Sequence, residues 1–476
     1  MLLIKHGLVV LEEQTLPEAD ILVAQDKIVA IEQLDEARLH HFIAQYGEVT
    51  REIDATGCVV FPGFIDPHVH MQMTNALTTT ADSYATGSVA ALYGGNTTII
   101  NFATADRGMR LDEVIARELS KASPKCSCNY LFHVEMVDVN EGTLADLETL
   151  AKQGVRSCKA YMAYGFRIND GDLYRTVKAC NNANMLLEAH CENGDLLDAI
   201  AKDLESKNQT SMLNKAKAHP ALAEANAINT LSYIGQELDA NVHVVHLSSK
   251  LGLEEVRNAR KRGAKITVET CPQYLYLDQE VYQNEDELEA AKYVCAPIPR
   301  TAEDRKAILE ALVAGEIQTL ATDHCAYRLH GQKDAYLSDF RFTPGGLPGV
   351  EERASLCYSK LVADGLISLS QFAQLMSTNS AKLYDLYPTK GVLQVGSDAD
   401  ITIYDPNITH TFTDENIHSA CENTVYAGVT VQGKVRDVVL GGEVVLANFQ
   451  LEQEGKGQYL ATTVKPERKE VFKRLS

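Results

Sequence analysis

A His-x-His pair, His68 and His70, ends the run Phe64-Ile65-Asp66-Pro67-His68-Val69-His70. Four more polar residues lie in or just after apolar runs: Lys159 within 157–161, His190 after Leu187-Glu188-Ala189, His246 after Val244-Val245, and Asp323 after Ala321-Thr322. On an extended segment side chains alternate with period two, so His68 and His70 point to one side and can reach one cation. His190 and His246 can serve a second. Imidazole and carboxylate ligands suit Zn²⁺ and similar divalent ions. An ammonium among such ions would be repelled. Lys159 fits if its amine has reacted with CO₂ to give a carbamate, an anion whose two oxygens can bridge two metals. Asp323 would bind one ion and accept a proton from the bridging water. A metal pair lowers the pKa of that water and polarises an amide carbonyl. Taken singly, a strand-end His is more often a rim residue, a strand Lys a snorkelling one, and an Asp after a strand a helix N-cap. The set together, in chain order and at matching strand ends, points to a metal site.

Such a set must be gathered by the fold. Apolar, β-branched runs recur at 59–65, 97–102, 129–134, 156–161, 185–189, 242–247, 266–270 and 318–322, with amphipathic stretches such as 111–121, 222–234 and 303–314 between them. Apolar strands alternating with helices imply a parallel sheet, and eight such units closing on themselves make a (β/α)₈ TIM barrel. Each candidate then sits at or near the C-terminal end of a strand, the face on which barrel enzymes build their sites. Residues 1–58 read as short strands, and the same texture returns over 391–450. Both ends are expected to build one small β-sandwich domain around an inserted barrel of 59–390. The tail, 451–476, ends basic from Lys465 to Arg474 and is expected either to pack on a neighbouring subunit or to fray.

Bulk properties narrow the class. The chain has 476 residues and a formal net charge of -21. That acidity argues against nucleic acid or an anionic membrane surface as partner. No run approaches the roughly 20 apolar residues of a membrane helix. The opening Met1-Leu2-Leu3-Ile4-Lys5-His6 lacks the pattern of a secretory leader. Eleven Cys without framework spacing read as reduced core residues of a cytoplasmic protein.

These motifs resemble the amidohydrolase superfamily, and within it the dihydropyrimidinase and hydantoinase branch. The resemblance spans about residues 3–450. It is carried by Phe61-Pro62-Gly63-Phe64-Ile65-Asp66-Pro67-His68-Val69-His70, Lys159-Ala160-Tyr161-Met162-Ala163-Tyr164, Glu188-Ala189-His190-Cys191-Glu192-Asn193-Gly194, Glu269-Thr270-Cys271-Pro272-Gln273-Tyr274 and Thr322-Asp323-His324-Cys325-Ala326. The resemblance implies hydrolysis of a cyclic amide, a hydantoin or dihydropyrimidine ring, to an N-carbamoyl amino acid. It implies two divalent ions, usually zinc, with manganese or iron as alternatives. His68, His70 and Asp323 would hold one, His190 and His246 the other, and Lys159, as N6-carboxylysine, would bridge them. Tyr164 matches the family tyrosine that hydrogen-bonds the substrate carbonyl and the oxyanion developing there. Asp323 would shuttle the proton. His324 reads as a support behind the ligands, and His6, His133, His219, His243 and His330 take the structural reading. The family assembles as dimers or tetramers.

Departures bear on the substrate. Ala296 stands where the family commonly has Ser, and Gly345 where it commonly has Asn, at positions that contact the ring amide largely through backbone atoms. Asn75 stands where it often has an aromatic. Dihydroorotase would want an Arg at Gln72 to grip a substrate carboxylate. Allantoinase competes more strongly, since its ring is also a hydantoin and the loop 345–351 leans that way. A non-catalytic scaffold relative would have lost ligands that this chain keeps.

Overall fold

The computed structural model describes residues 1–473. Eight parallel strands form the barrel: β1 Phe64–Val69, β2 Asn96–Ala103, β3 Asn129–Met136, β4 Ser157–Tyr161, β5 Leu186–His190, β6 Val242–Val244, β7 Ile266–Thr270 and β8 Thr319–Leu320. They pair in chain order. Every residue of β1 to β8 is buried, because helices cover the outside and side chains fill the inside. That double burial is why the strands read as largely apolar runs rather than alternating ones. The amphipathic stretches fold as Leu111–Ala122, Ala221–Glu237 and Ala302–Val313. The last of these starts at Thr301, whose hydroxyl caps the Asp304 amide while the Asp304 carboxylate returns to the Thr301 amide, satisfying two orphan donors at once.

No continuous ladder joins β8 to β1; side chains close that seam instead. The fully buried Arg353 donates to the carbonyls of Ile65 in β1 and Leu320 in β8, and to Asn96 Oδ1. Asp66 accepts from the Thr322 amide and, at 2.6 Å, from its hydroxyl. A single bridge pairs Val69 with His324. These contacts bring the end of β1, which carries His68, beside the segment that carries Asp323.

The chain ends build a second unit. Strands Leu2–Val10, Thr15–Ala24, Lys27–Glu32, Arg51–Asp54 and Val59–Pro62 join Ile401–Thr411, Thr430–Leu440, Glu443–Ala447 and Gln450–Leu451 in one mixed nine-stranded sheet. Its own apolar core includes Ile4, Val9, Ile21, Val60, Ile401, Ile403 and Val439.

Three strand ends differ from the sequence reading. The run 59–65 is two strands: Val59–Pro62 pairs with Ile401–Thr411 in the outer sheet, and β1 begins at Phe64. The chain changes sheets at Gly63, where a Cβ would stand 2.2 Å from Thr97 Oγ1. β6 stops at Val244 because His246 takes a left-handed φ of 43°. β8 is only Thr319–Leu320 before the chain turns into the site.

The tail lies on its own chain. Gln458 and Leu460 extend alongside Tyr130 of β3. Arg468 is buried against Asp385, which also accepts from Arg156. Val471 and Phe472 join Ile65, Ile100, Leu131 and Leu186 in a core cluster. The basic end of the tail at Arg474 lies outside the described residues. No helix among the described residues is long and apolar enough to cross a membrane. All eleven cysteines are buried and unbridged.

Candidate metal centre

The barrel brings the predicted ligands to one mouth. His68 Nε2 lies 3.0 Å and His70 Nε2 3.2 Å from Asp323 Oδ1. Ligand atoms of all three fall within 4.8 Å of one another. His68 Nε2 is nevertheless a buried nitrogen without a hydrogen bond: the distance is right but the direction is not, as when donors face a shared centre rather than each other. On the other side, His190 Nδ1 faces His246 Nε2 at 3.0 Å. Two nitrogens on a tetrahedral zinc, each about 2.1 Å away, stand about 3.4 Å apart. The two nitrogens, closer than that, are near enough to share an ion once they part slightly. The two groups adjoin, with the His68 and His246 rings 5.5 Å apart.

Lys159, 1% exposed in β4, reaches into the same space. Its Nζ lies 4.5 Å from the centre of the Phe102 ring, and Phe102 also packs against His68 and His70 at 4.5 and 4.8 Å. Among the described residues no acceptor binds that Nζ. Burial pushes its pKa down, against the pull of Glu188, Asp323, Glu269 and Glu135. A buried ammonium with no anion in contact is costly, and this pushes towards the neutral amine, the form that reacts with CO₂.

Electrostatics favour lone pairs on the rings of His70 and His246. Burial depresses His70 to about 4 and, with the neighbouring His190 and Lys159, holds His246 well below its usual value. Burial also opposes a charge on His68, but Asp323 and Glu269 outweigh it and lift His68 to about 9. The carboxylates that draw a proton there would draw a cation. Asp323 is held well below the ordinary carboxylate range: burial acts against ionisation, and the neighbouring histidines overcome it.

Two buried carboxylates fix the rings from behind. His68 Nδ1 donates to Glu269 Oε1 at 2.7 Å, leaving Nε2 for the site. His190 Nε2 donates to Glu192 Oε2 at 3.1 Å, leaving Nδ1. Such partners set the tautomer and raise ligand basicity. Backbone strain is present here, as it is at several turns elsewhere. Gln72, Tyr164, His246 and Asp323 all have left-handed φ, from 43° to 68°, a conformation that costs non-glycine residues on the order of 1 kcal/mol each and concentrates at functional sites.

Tyr164 follows β4, its ring 5.3 Å from that of His190, and its hydroxyl donates to Glu192 Oε2 at 3.2 Å. Burial, with Glu192 beside it, raises its pKa. His324 lies behind the ligands, between Asp82 and the amides of Gly349 and Val350. Ala296 and Gly345 lie in adjoining loops tied by the Gly346 amide to the Val294 carbonyl. Gly345 is exposed, and a Cβ there would meet nothing nearer than Cys295 Cα at 3.8 Å. Asn75 ties its own loop down by donating to the Tyr327 hydroxyl at 3.0 Å.

Glu269, Glu192, Phe102 and Arg353 carry the site and were assigned no role from sequence. The signal for the first two was there: a carboxylate in or beside a wholly apolar strand must be buried, and a buried carboxylate needs donors.

Residues 59–445 match the amidohydrolase family. The chain is 36% identical over 463 residues to a D-hydantoinase of Geobacillus stearothermophilus, covering 96% of each. It is 35% identical over 447 residues to a D-hydantoinase of Rhizobium radiobacter, covering 94% of this chain and 95% of that one. The crystal structure of dihydropyrimidinase from Brevibacillus agri NCHU1002 superposes with a TM-score of 0.93 at 35% identity, covering 98% of this chain and 99% of that one.

Proposed function

This chain belongs to the amidohydrolase family, and from that premise we propose that it hydrolyses the ring amide of a hydantoin or dihydropyrimidine to an N-carbamoyl amino acid. One observation carries the reading. His68, His70 and Asp323 converge within 4.8 Å at the mouth of the barrel, in a chain alike over almost its whole length to proteins named for that reaction.

The donor set suits two divalent ions, zinc first, with manganese or iron able to substitute. His68, His70 and Asp323 would hold one, His190 and His246 the other, and Lys159, as a carbamate, would lie between them. When bound, such a pair supplies Lewis acidity and makes water a nucleophile at neutral pH. The chain's residues do the rest. Asp323, ionised and aimed at the mouth, takes the proton of the attacking water and delivers it to the leaving ring nitrogen. The hydroxyl of Tyr164 turns from Glu192 to the substrate carbonyl and donates as negative charge develops there. Water thus adds OH to the carbonyl carbon and H to the nitrogen, and the ring opens. Glu269 and Glu192 hold His68 and His190 at their working angles throughout.

The test is ring opening on a panel of hydantoin, 5-phenylhydantoin, dihydrouracil, allantoin and dihydroorotate. The protein is supplied with zinc or manganese and bicarbonate, and the product is identified by mass spectrometry. Metal-dependent conversion of a hydantoin or of dihydrouracil to its N-carbamoyl acid is expected. Turnover of allantoin alone would move the assignment to that ring, and no ion bound after reconstitution would favour a non-catalytic relative. Assembly as a dimer or tetramer is part of the same reading, and light scattering measures it.

A further inference from the structure

Glu192 stands two residues after His190, in the turn before helix Gly194–Ser206, which Asn193 caps. Its side chain is fully buried and its two oxygens accept four donors. Oε1 takes His219 Nδ1 and Arg300 Nη2, each at 3.2 Å. Oε2 takes His190 Nε2 at 3.1 Å and the Tyr164 hydroxyl at 3.2 Å. A carboxylate offers about four acceptor positions, so this one is saturated. Its rear partners are themselves fixed. Arg300 donates also to the His219 carbonyl and, at 3.0 Å, to Ser248 Oγ. Lys215 Nζ lies 3.0 Å from His219 Nε2. Glu192 is therefore held from behind on Oε1 and presents Oε2 alone to the site.

A single oxygen atom thus meets both a metal-facing ring and the oxyanion donor. On the ring it enforces Nε2–H, so that the lone pair sits on Nδ1, which faces His246. On the phenol it gives the O–H a partner when no substrate is present. Without that acceptor the hydroxyl of a tyrosine in a left-handed backbone position has no reason to stay beside His190. When a carbonyl arrives, the O–H exchanges one acceptor for another by a small rotation, and Oε2 keeps His190.

We propose that Glu192 is a positioning residue that couples His190 to Tyr164 through one shared oxygen, setting the ligand's tautomer and holding the oxyanion donor ready beside it. This rests on the reading above, in which Tyr164 donates to the substrate carbonyl. The same oxygen links ion binding to oxyanion stabilisation, two properties that independent supports would leave separable.

The test is a double-mutant cycle with Glu192→Gln and Tyr164→Phe, read in two ways. The first readout is zinc affinity of the resting protein by chelator competition, without substrate. Glu192→Gln should weaken it about 10- to 100-fold, alone or combined with Tyr164→Phe, while Tyr164→Phe alone leaves it unchanged. The second readout is kcat and KM under saturating zinc. Glu192→Gln should lower kcat at least tenfold with KM little changed, and most of that loss should vanish in the Tyr164→Phe background. Unchanged zinc affinity together with independent, multiplying losses in kcat would overturn the proposal. Should Glu192→Gln fail to fold, the crystal structure of the zinc-loaded wild type decides. An ion on His190 Nδ1, with Tyr164 against Glu192, is expected; an ion on Nε2 would overturn it. Inactivity of the loaded wild type on every ring would remove the Tyr164 role together with the preceding reading, and the zinc arm would still decide the role at His190.

Discussion

Replacing Glu269 with Gln removes one negative charge and almost no volume. The His68–Glu269 hydrogen bond is 2.7 Å long, and both side chains are 1% exposed. Glu269 Oε1 also accepts the His246 amide at 3.3 Å, so the carboxylate steadies both halves of the centre. Burial works against its ionisation, yet His68 and His243 hold its pKa well below the ordinary range: the structure keeps it charged. Hydrogen bonds to charged groups contribute about 1.5–3 kcal/mol. Gln retains an oxygen that can accept from Nδ1–H, so a neutral bond survives and only part of that is lost. The result expected is zinc binding about 10- to 100-fold weaker, equivalent to about 1.4–2.7 kcal/mol. Competition against a chromophoric chelator measures it, with circular dichroism to show that the fold is intact. A folded variant that binds zinc within twofold of wild type would refute the claim that Glu269 sets the geometry of His68.

Lys159→Ala should bind fewer than two ions per chain and lose activity, with short carboxylic acids restoring part of both. Full activity without rescue would contradict a bridging role. Glu352 is buried, and burial, with Glu351 nearby, lifts its pKa to about 7 from 4.5. The folded state therefore keeps a proton that the unfolded chain releases. This term favours folding below about pH 4.5 and is lost as pH rises through 7. Glu352→Gln should gain stability relative to wild type between pH 4.5 and 8 by about 3 kcal/mol. Urea denaturation at both ends reads this, and parallel pH profiles would refute it. Arg353→Met strips the donors from the Ile65 and Leu320 carbonyls at the barrel seam. With about 1–3 kcal/mol for each buried group left unmet, thermal unfolding should show a loss of at least about 2 kcal/mol. A smaller loss would mean that the seam closes without Arg353.

The periodicities in the sequence are local, and what they described was local. His68 and His70 lie at one strand end because extended residues alternate, and His190 because β5 is buried throughout and apolar up to it except for Glu188. The barrel follows, since eight buried runs separated by amphipathic helices have few other ways to cover both faces. What stayed hidden depends on partners far along the chain. Glu269 supports His68 across 201 positions, and Arg353 reaches Ile65 across 288. No spacing rule connects such pairs. The split at Gly63 was missed because both flanking strands are apolar, and the break is a matter of backbone clearance against Thr97 rather than of polarity. The tail reads as poor in core residues, yet Val471 and Phe472 find a core built by other strands. The role given to Tyr164 came through resemblance alone, since nothing in its neighbourhood separates it from a packed aromatic.

The proposed ring opening needs two ions at the barrel mouth. The most direct test is to strip the protein with a chelator and titrate zinc back in bicarbonate buffer while following hydantoin or dihydrouracil opening. Activity is predicted to return only with added ion, to level off at two equivalents per chain, and to be lost when bicarbonate is withheld during reconstitution. Full ring opening by the stripped protein, or saturation with no ion retained, would contradict it.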